Sequence, residues 1–302
     1  MWVVIHRVGM VYIRAKKVKG IDYAYLVKSE WDENNKTSRQ VTIKYLGKAS
    51  DIEIEDIPES FRHDPKIVSF LSKHNPVDAH KKAVMIKSLR NKLFHCLCSA
   101  NVDSALGLYK ESRNTLSLQD FYDKVFRAVM YDIGSRWEKG KIDIATEHVC
   151  SNTAQSLIAT IERMNQAPCT RKRIFLCCPD GELHHIASLV LESVLRSRGY
   201  RVINASPSIP TTTILQYIGD KDPDLIMVSV TLPDNIGAAK RLIRKISEEF
   251  NNNIPMIVGG SAFIDFKGDI PGVIAVCPPD NNSLEDVMRY VKSSLSTPAK
   301  NR

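Results

Sequence analysis

A chain of 302 residues, 43% hydrophobic and 25% charged, has room for two or three domains with ordinary cores. Its seven cysteines are odd in number and scattered, which excludes a secreted disulfide framework. No run reaches the roughly 18 apolar residues of a membrane span or forms a signal-peptide core, so the expected compartment is the cytoplasm. The formal charge of +8 is local, because residues 1–50 hold ten Lys/Arg against four acids.

From Val11 to Leu46 the pattern alternates as strands do, in Val11-Tyr12-Ile13-Arg14, Tyr23 to Val27 and Val41 to Leu46, with turns at Lys19-Gly20 and around Asn34-Asn35. A small three-stranded antiparallel β module with a basic, tyrosine-bearing face is expected over residues 1–50. The first nine residues fit it poorly, which makes Met10 a candidate start. Basic strands with interleaved tyrosines suit a phosphate backbone, and Lys16, Lys17, Lys19, Arg39 and Lys44 are the expected nucleic-acid contacts. A solubilising appendage or a protein-docking sheet is the competing reading. Pro58, Asp64-Pro65 and Asn75-Pro76 mark residues 51–79 as a linker with at most a short helix, Lys66 to Lys73.

Four helical stretches follow, about Lys81 to Ser99, Asn101 to Arg113, Ser117 to Glu138 and Asp143 to Met164, and predict a four-helix bundle over residues 80–168. The third opens on Ser117 with Asp120 three residues on, a cap-like start, and carries Phe121, Val125, Val129 and Ile133 at helical spacing. His95-Cys96-Leu97-Cys98 and Cys177-Cys178 lack paired knuckle spacing and sit among apolar residues, so buried thiols are expected rather than zinc.

From Arg173 onward short apolar strands alternate with helices, which predicts an α/β domain over residues 170–298, a flavodoxin-like doubly wound parallel sheet. The first strand is followed by no G-x-G-x-x-G, so a dinucleotide Rossmann site is not expected. The third strand ends Ser229-Val230-Thr231 without aspartate and the fifth ends Cys277-Pro278-Pro279 without lysine, which excludes a phospho-accepting receiver. What remains is Glu182-x-His184, where the first strand hands over to a helix and open α/β sheets hold their ligands.

Glu182-x-His184 with Ala187, Ser229 ending the third strand and Gly259-Gly260 ending the fourth resembles the cobalamin-binding domain shared by methionine synthase, corrinoid methyltransferase proteins and adenosylcobalamin photoreceptors. The resemblance implies His184 as the lower cobalt ligand, Glu182 as the carboxylate orienting its imidazole, and a pocket for the displaced benzimidazole tail beside Ser229 and the glycine pair. Upstream, Trp137 followed by Glu147-His148 resembles the helical cap of the CarH-type photoreceptor repressors, where these residues enclose the adenosyl group. The usual aspartate, glycine and leucine are replaced here by Glu182, Ala187 and Thr231, and Glu138 stands where that branch places a histidine after the tryptophan. Bis-histidine trapping of a photolysed state by that route is therefore not expected.

The resemblance thus implies a cobalamin-binding sensor, holding adenosylcobalamin in preference to methylcobalamin between bundle and α/β domain. Light-responsive transcription regulation, DNA binding through the amino-terminal module and homo-oligomerisation are the accompanying expectations. That module itself is weakly similar to the opening segment of certain transposases. The alternatives are a corrinoid methyl carrier of a methyltransferase system and a cobalamin storage or delivery protein.

Overall fold

The computed structural model describes residues 11–18, 20–32, 37–52, 54–62, 64–74, 76–169, 172–278 and 283–296. Two units separate by their internal contacts, Met1–Ser88 and Leu89–Arg302. Lys19 and Met10, named above as a phosphate contact and a candidate start, lie outside the described residues.

In the first unit, β1 (Val11–Val18), β2 (Ile21–Asp32) and β3 (Thr37–Lys48) form an antiparallel sheet in the order β1-β2-β3. One face carries Val11, Ile13, Ala24 and Leu26 into a core with Ala49, Ile52, Ile57, Ile67 and Leu71. The last two belong to α1 (Pro65–His74). Residues 51–74, expected as a linker, therefore close the apolar side of the sheet. A three-stranded sheet has one face to bury, and the isoleucines among the acidic residues supply the cover.

The second unit begins within α2 (Pro76–Cys98), whose Leu89, Leu93 and Leu97 form a buried stripe at i+4 spacing. It continues through α3 (Val102–Ser112), α4 (Leu118–Asp120), a π-helical turn Phe121–Phe126, α5 (Arg127–Glu138) and α6 (Ile144–Met164). Ser117 caps its helix as a full capping box with Asp120. The π turn is not legible in the i+4 pattern. It buries Phe121, Tyr122, Val125 and Phe126 together, and all four aromatic rings from Tyr109 to Phe126 meet edge to face. At the other end of the bundle, Cys98 Sγ lies 3.0 Å from Cys150 Sγ. Burial, and then this neighbour, push the Cys150 thiol up to about 12, so it stays protonated.

The α/β layer runs β4 (Arg173–Cys177), α7 (Ile186–Ser197), β5 (Arg201–Asn204), α8 (Thr211–Lys221), β6 (Leu225–Ser229), α9 (Ile236–Glu249), β7 (Met256–Gly259), β8 (Ala275–Cys277) and α10 (Leu284–Ser296). All strand pairs are parallel and the order is β5-β4-β6-β7-β8, the flavodoxin-like arrangement. The order in which strands are added reverses between β4 and β6, a switch point at which the loops leaving the carboxyl ends of the two strands diverge and form a crevice. No helix of the described residues is long and apolar enough to cross a membrane.

Polar contacts among the described residues tie the helical layer to the α/β layer. The Tyr122 hydroxyl and Ser193 Oγ are 2.9 Å apart, Arg196 on α7 reaches Glu162 on α6 at 3.3 Å, and Asp123 Oδ2 accepts from the Leu284 amide at 2.9 Å. Burial pushes the Asp123 carboxyl up, against the opposing pull of Leu284 and Arg127. Asp123→Ala should therefore cost about 1–2 kcal/mol in urea unfolding, from a lost cap on α10. Asp123→Asn, which keeps an acceptor oxygen, should cost clearly less.

Candidate functional site

The loop after β4 turns at Gly181, with φ +87°, and sends Glu182 inward and His184 outward. Glu182 has no exposed surface. Its Oε2 accepts from the Thr231 amide at 2.8 Å, the Leu232 amide at 3.0 Å and Asn235 Nδ2 at 3.0 Å, all in the loop after β6. Its Oε1 accepts from the His184 amide and lies 2.9 Å from His184 Nδ1. Burial alone pushes the carboxyl up, but the donors from Leu232, Asn235, His184 and Thr231 reverse this and hold it below the usual carboxylate range.

An ionised carboxylate only accepts, so His184 Nδ1 carries a proton toward Glu182, and in the neutral ring this tautomer leaves the lone pair on Nε2. The side chain is 56% exposed. The dyad therefore orients the imidazole and turns its Nε2 edge outward at the carboxyl end of β4. His185 is differently tied, its Nδ1 3.1 Å from the Leu183 carbonyl, so the contact with the Glu182 carboxylate falls to His184.

Ser229 ends β6 beside β4, with its Oγ buried and without a hydrogen-bond partner among the described residues. Gly259 ends β7 and Gly260 follows it. A Cβ on Gly260 would sit 2.1 Å from the Val230 carbonyl oxygen, and one on Gly259 2.7 Å from the Cys277 carbonyl oxygen. Both glycines are thus demanded by backbone close to backbone within the sheet end. Sequence reasoning missed Asn235; its only local signal is its place just ahead of α9, where an amide side chain commonly serves a loop.

In the helical layer, Trp137 near the end of α5 is 46% exposed. The short turn 139–143 brings the start of α6 to the same end of the bundle, with Glu147 and His148 in its first turns. Glu147 Oε2 lies 2.7 Å from His148 Nδ1 and its Oε1 accepts from Ser151 at 2.6 Å. Ile144, Val149, Leu183 and Leu232 are also exposed. Among the described residues no group of three or more His, Cys, Asp or Glu gathers to hold a bare metal ion. A shallow depression lined by Asp222, Phe250 and Ile254 lies at the opposite, amino-terminal edge of the sheet and is remote from this chemistry.

Of the basic residues expected to contact nucleic acid, the four among the described residues do not share one face of the sheet. Strand register places Lys16 on the open face of the first unit's sheet, while Lys17 pairs with Asp22 and Arg39 with Glu30 on the core side. Lys44 donates to the Asp56 carbonyl at 2.7 Å.

Comparison with known proteins bears on the second unit. Residues 89–162 and 172–288 each match a family model described as B12 binding domain. A dimethylamine corrinoid protein of Methanosarcina barkeri is 18% identical over 179 residues, 58% of this chain and 84% of that protein. The HTH-type transcriptional repressor CarH of Myxococcus xanthus is 24% identical over 143 residues, 47% of each chain, so the match spans about half of that relative. In fold, the chain is similar to the Methanosarcina barkeri monomethylamine corrinoid protein, with a TM-score of 0.52 and 15% identity, covering 68% of this chain and 99% of that one. Residues 89–162 and 172–288 are cobalamin-binding domains, carried in tandem on the helical and the α/β layer.

Proposed function

We propose that the second unit is the corrinoid-carrying component of a methyl-transfer system, with cobalamin held between the two layers and His184 as its lower ligand. The Glu182–His184 dyad carries the reading. A neutral imidazole with its Nδ1 proton on a buried carboxylate is a good borderline donor to cobalt, and the carboxylate raises its basicity. The orphaned Ser229 Oγ fits a polar group on a buried ligand tail, and exposed Trp137 fits an apolar cover over the upper face. Bound cobalamin would supply a cobalt centre able to accept and release an alkyl group. The chain's own residues would orient the group, exclude water and hold the imidazole proton at Nδ1.

The methyl-carrier role rests on length. The corrinoid relative is matched over 84% of itself and the repressor over 47%. A second reading, the adenosylcobalamin sensor, is favoured by the Trp137 and Glu147-His148 arrangement at one end of the bundle. Reconstitution in darkness with methyl- and adenosylcobalamin decides between them. The carrier should take up methylcobalamin and exchange its methyl group with a partner methyltransferase. Tight adenosylcobalamin uptake with a mass change on green illumination, measured by light scattering, would replace it with the sensor. Protein that stays colourless with every form sinks both.

Ser229→Ala provides an independent check. Removing a buried, unsatisfied hydroxyl should leave the unloaded protein as stable or more stable by about 1 kcal/mol, while cobalamin uptake weakens. Unchanged uptake would remove Ser229 from the tail pocket.

A further inference from the structure

The sheet of the first unit has a second face that its own core does not use. Antiparallel partners share a side, so the face opposite Ala24 and Leu26 carries Tyr12, Arg14, Lys16, Tyr23, Tyr25, Trp31, Gln40, Tyr45 and Lys48. Two register shifts, between Ala24 and Tyr25 and between Leu26 and Val27, bring Tyr25 opposite Tyr45. Tyr45 then stands between two tyrosines, 6.5 Å from the Tyr23 ring at an interplanar angle of 27° and 5.1 Å from the Tyr25 ring. Tyr45 is 54% exposed and Trp31 59% exposed, unusual for rings this large on a sheet.

The charges on this face are of one sign. Arg14 and Lys16 on β1 and Lys48 on β3 flank the tyrosine cluster, Arg14 bonding Gln40, which in turn bonds the Tyr12 hydroxyl. The acids of the sheet, Asp22, Glu30 and Asp32, stand at register positions of the other side, opposite Lys17, Arg39 and Thr37. No acidic residue among the described residues lies on the tyrosine face. Exposed aromatic rings edged by cations match a ligand that offers planar rings and phosphates together.

We propose that this face binds single-stranded nucleic acid, with unpaired bases stacking on Tyr23, Tyr45 and Trp31 and phosphates meeting Arg14, Lys16 and Lys48. A duplex keeps its base faces stacked on one another and would leave the tyrosines unused, whereas a single strand can splay its bases onto them. Stacking on rings is indifferent to base identity, so little sequence preference is expected. DNA and RNA share this chemistry and are separated by experiment.

The test is fluorescence anisotropy of the full chain with labelled oligothymidylate and oligouridylate of about 12 nucleotides, a site size within reach of one small sheet. Binding should weaken with salt at a log–log slope of about −2, as three phosphate contacts on a single strand require. Tyr45→Ala should cut affinity at least about fivefold and Tyr45→Phe should retain it, because the ring and not the hydroxyl stacks. Lys16→Gln should lower affinity and flatten the salt slope, while Lys17→Gln and Arg39→Gln, on the core side, should change affinity less than about twofold. A duplex of matching length should bind more weakly than either strand. The stronger of the two oligonucleotides identifies DNA or RNA as the natural source. Circular dichroism of Tyr45→Ala checks that the sheet persists, and Tyr45→Phe keeps the test valid if it does not. Equal losses from both faces, insensitivity to Tyr45, no binding at low salt, or preferential capture of polyglutamate would each overturn the proposal.

Discussion

Replacing His184 by Ala is expected to abolish protein-nitrogen coordination in the cobalamin-loaded protein and to weaken uptake at least tenfold, roughly the scale on which even outer partners of a metal ligand act. The measurement is electron paramagnetic resonance of the one-electron-reduced loaded protein, with and without 15N-histidine. The wild type should show splitting from one imidazole nitrogen that changes with the isotope, and His184→Ala should not. His185→Ala is the matched control, because its ring is tied to the Leu183 carbonyl rather than to Glu182. The unloaded variant should unfold within about 1 kcal/mol of wild type, since the imidazole is more than half exposed. An isotope-sensitive splitting that survives in His184→Ala would remove His184 as the ligand and with it the proposed orientation of the cofactor.

Glu182→Gln should be the most costly conservative change in the second unit, about 2–4 kcal/mol in unfolding free energy at neutral pH. The buried carboxylate satisfies donors on both oxygens, and an amide must turn its own N–H₂ toward one set of them. The same change frees the His184 tautomer, so cobalamin affinity should fall about 10- to 100-fold. The pH dependence has a definite sign. The folded carboxyl titrates below its unfolded value, so its contribution is complete above the ordinary glutamate range of about 4.3 and is lost as pH falls through that value toward the folded one. The stability gap between wild type and Glu182→Gln should therefore be flat at neutral pH and close on acidification. A gap that stays constant down to pH about 3 would mean that the depressed titration of Glu182 is not what stabilises the loop.

The two layers of the second unit were legible in the sequence because local periodicity reports them. The i+4 stripes of the helices and the short apolar runs between them define element type, and the Ser117 capping box and the Glu182-x-His184 spacing are local enough to be read directly. The regulator reading went further than composition or spacing carried, since the second unit is similar both to a dimethylamine corrinoid protein and to a transcriptional repressor. Residues 51–74 were misjudged for a related reason. Their prolines and acids suggested a linker, but Ile52, Ile57, Ile67 and Leu71 had a waiting apolar sheet face to cover.

By itself the chain's sequence determined which segments are helix and strand, where the first parallel strand ends, and that an imidazole and a carboxylate stand two residues apart there. Only the tertiary structure decided that Glu182 is anchored by Thr231, Leu232 and Asn235 from the loop after β6, which selects the imidazole tautomer. It also decided that Ser229 Oγ has no hydrogen-bond partner among the described residues and that a shifted register sets Tyr25 opposite Tyr45. The physical reason is that hydrophobic period is a local property of the chain, whereas hydrogen-bond satisfaction and cross-strand register are settled between segments that meet only when the chain is folded.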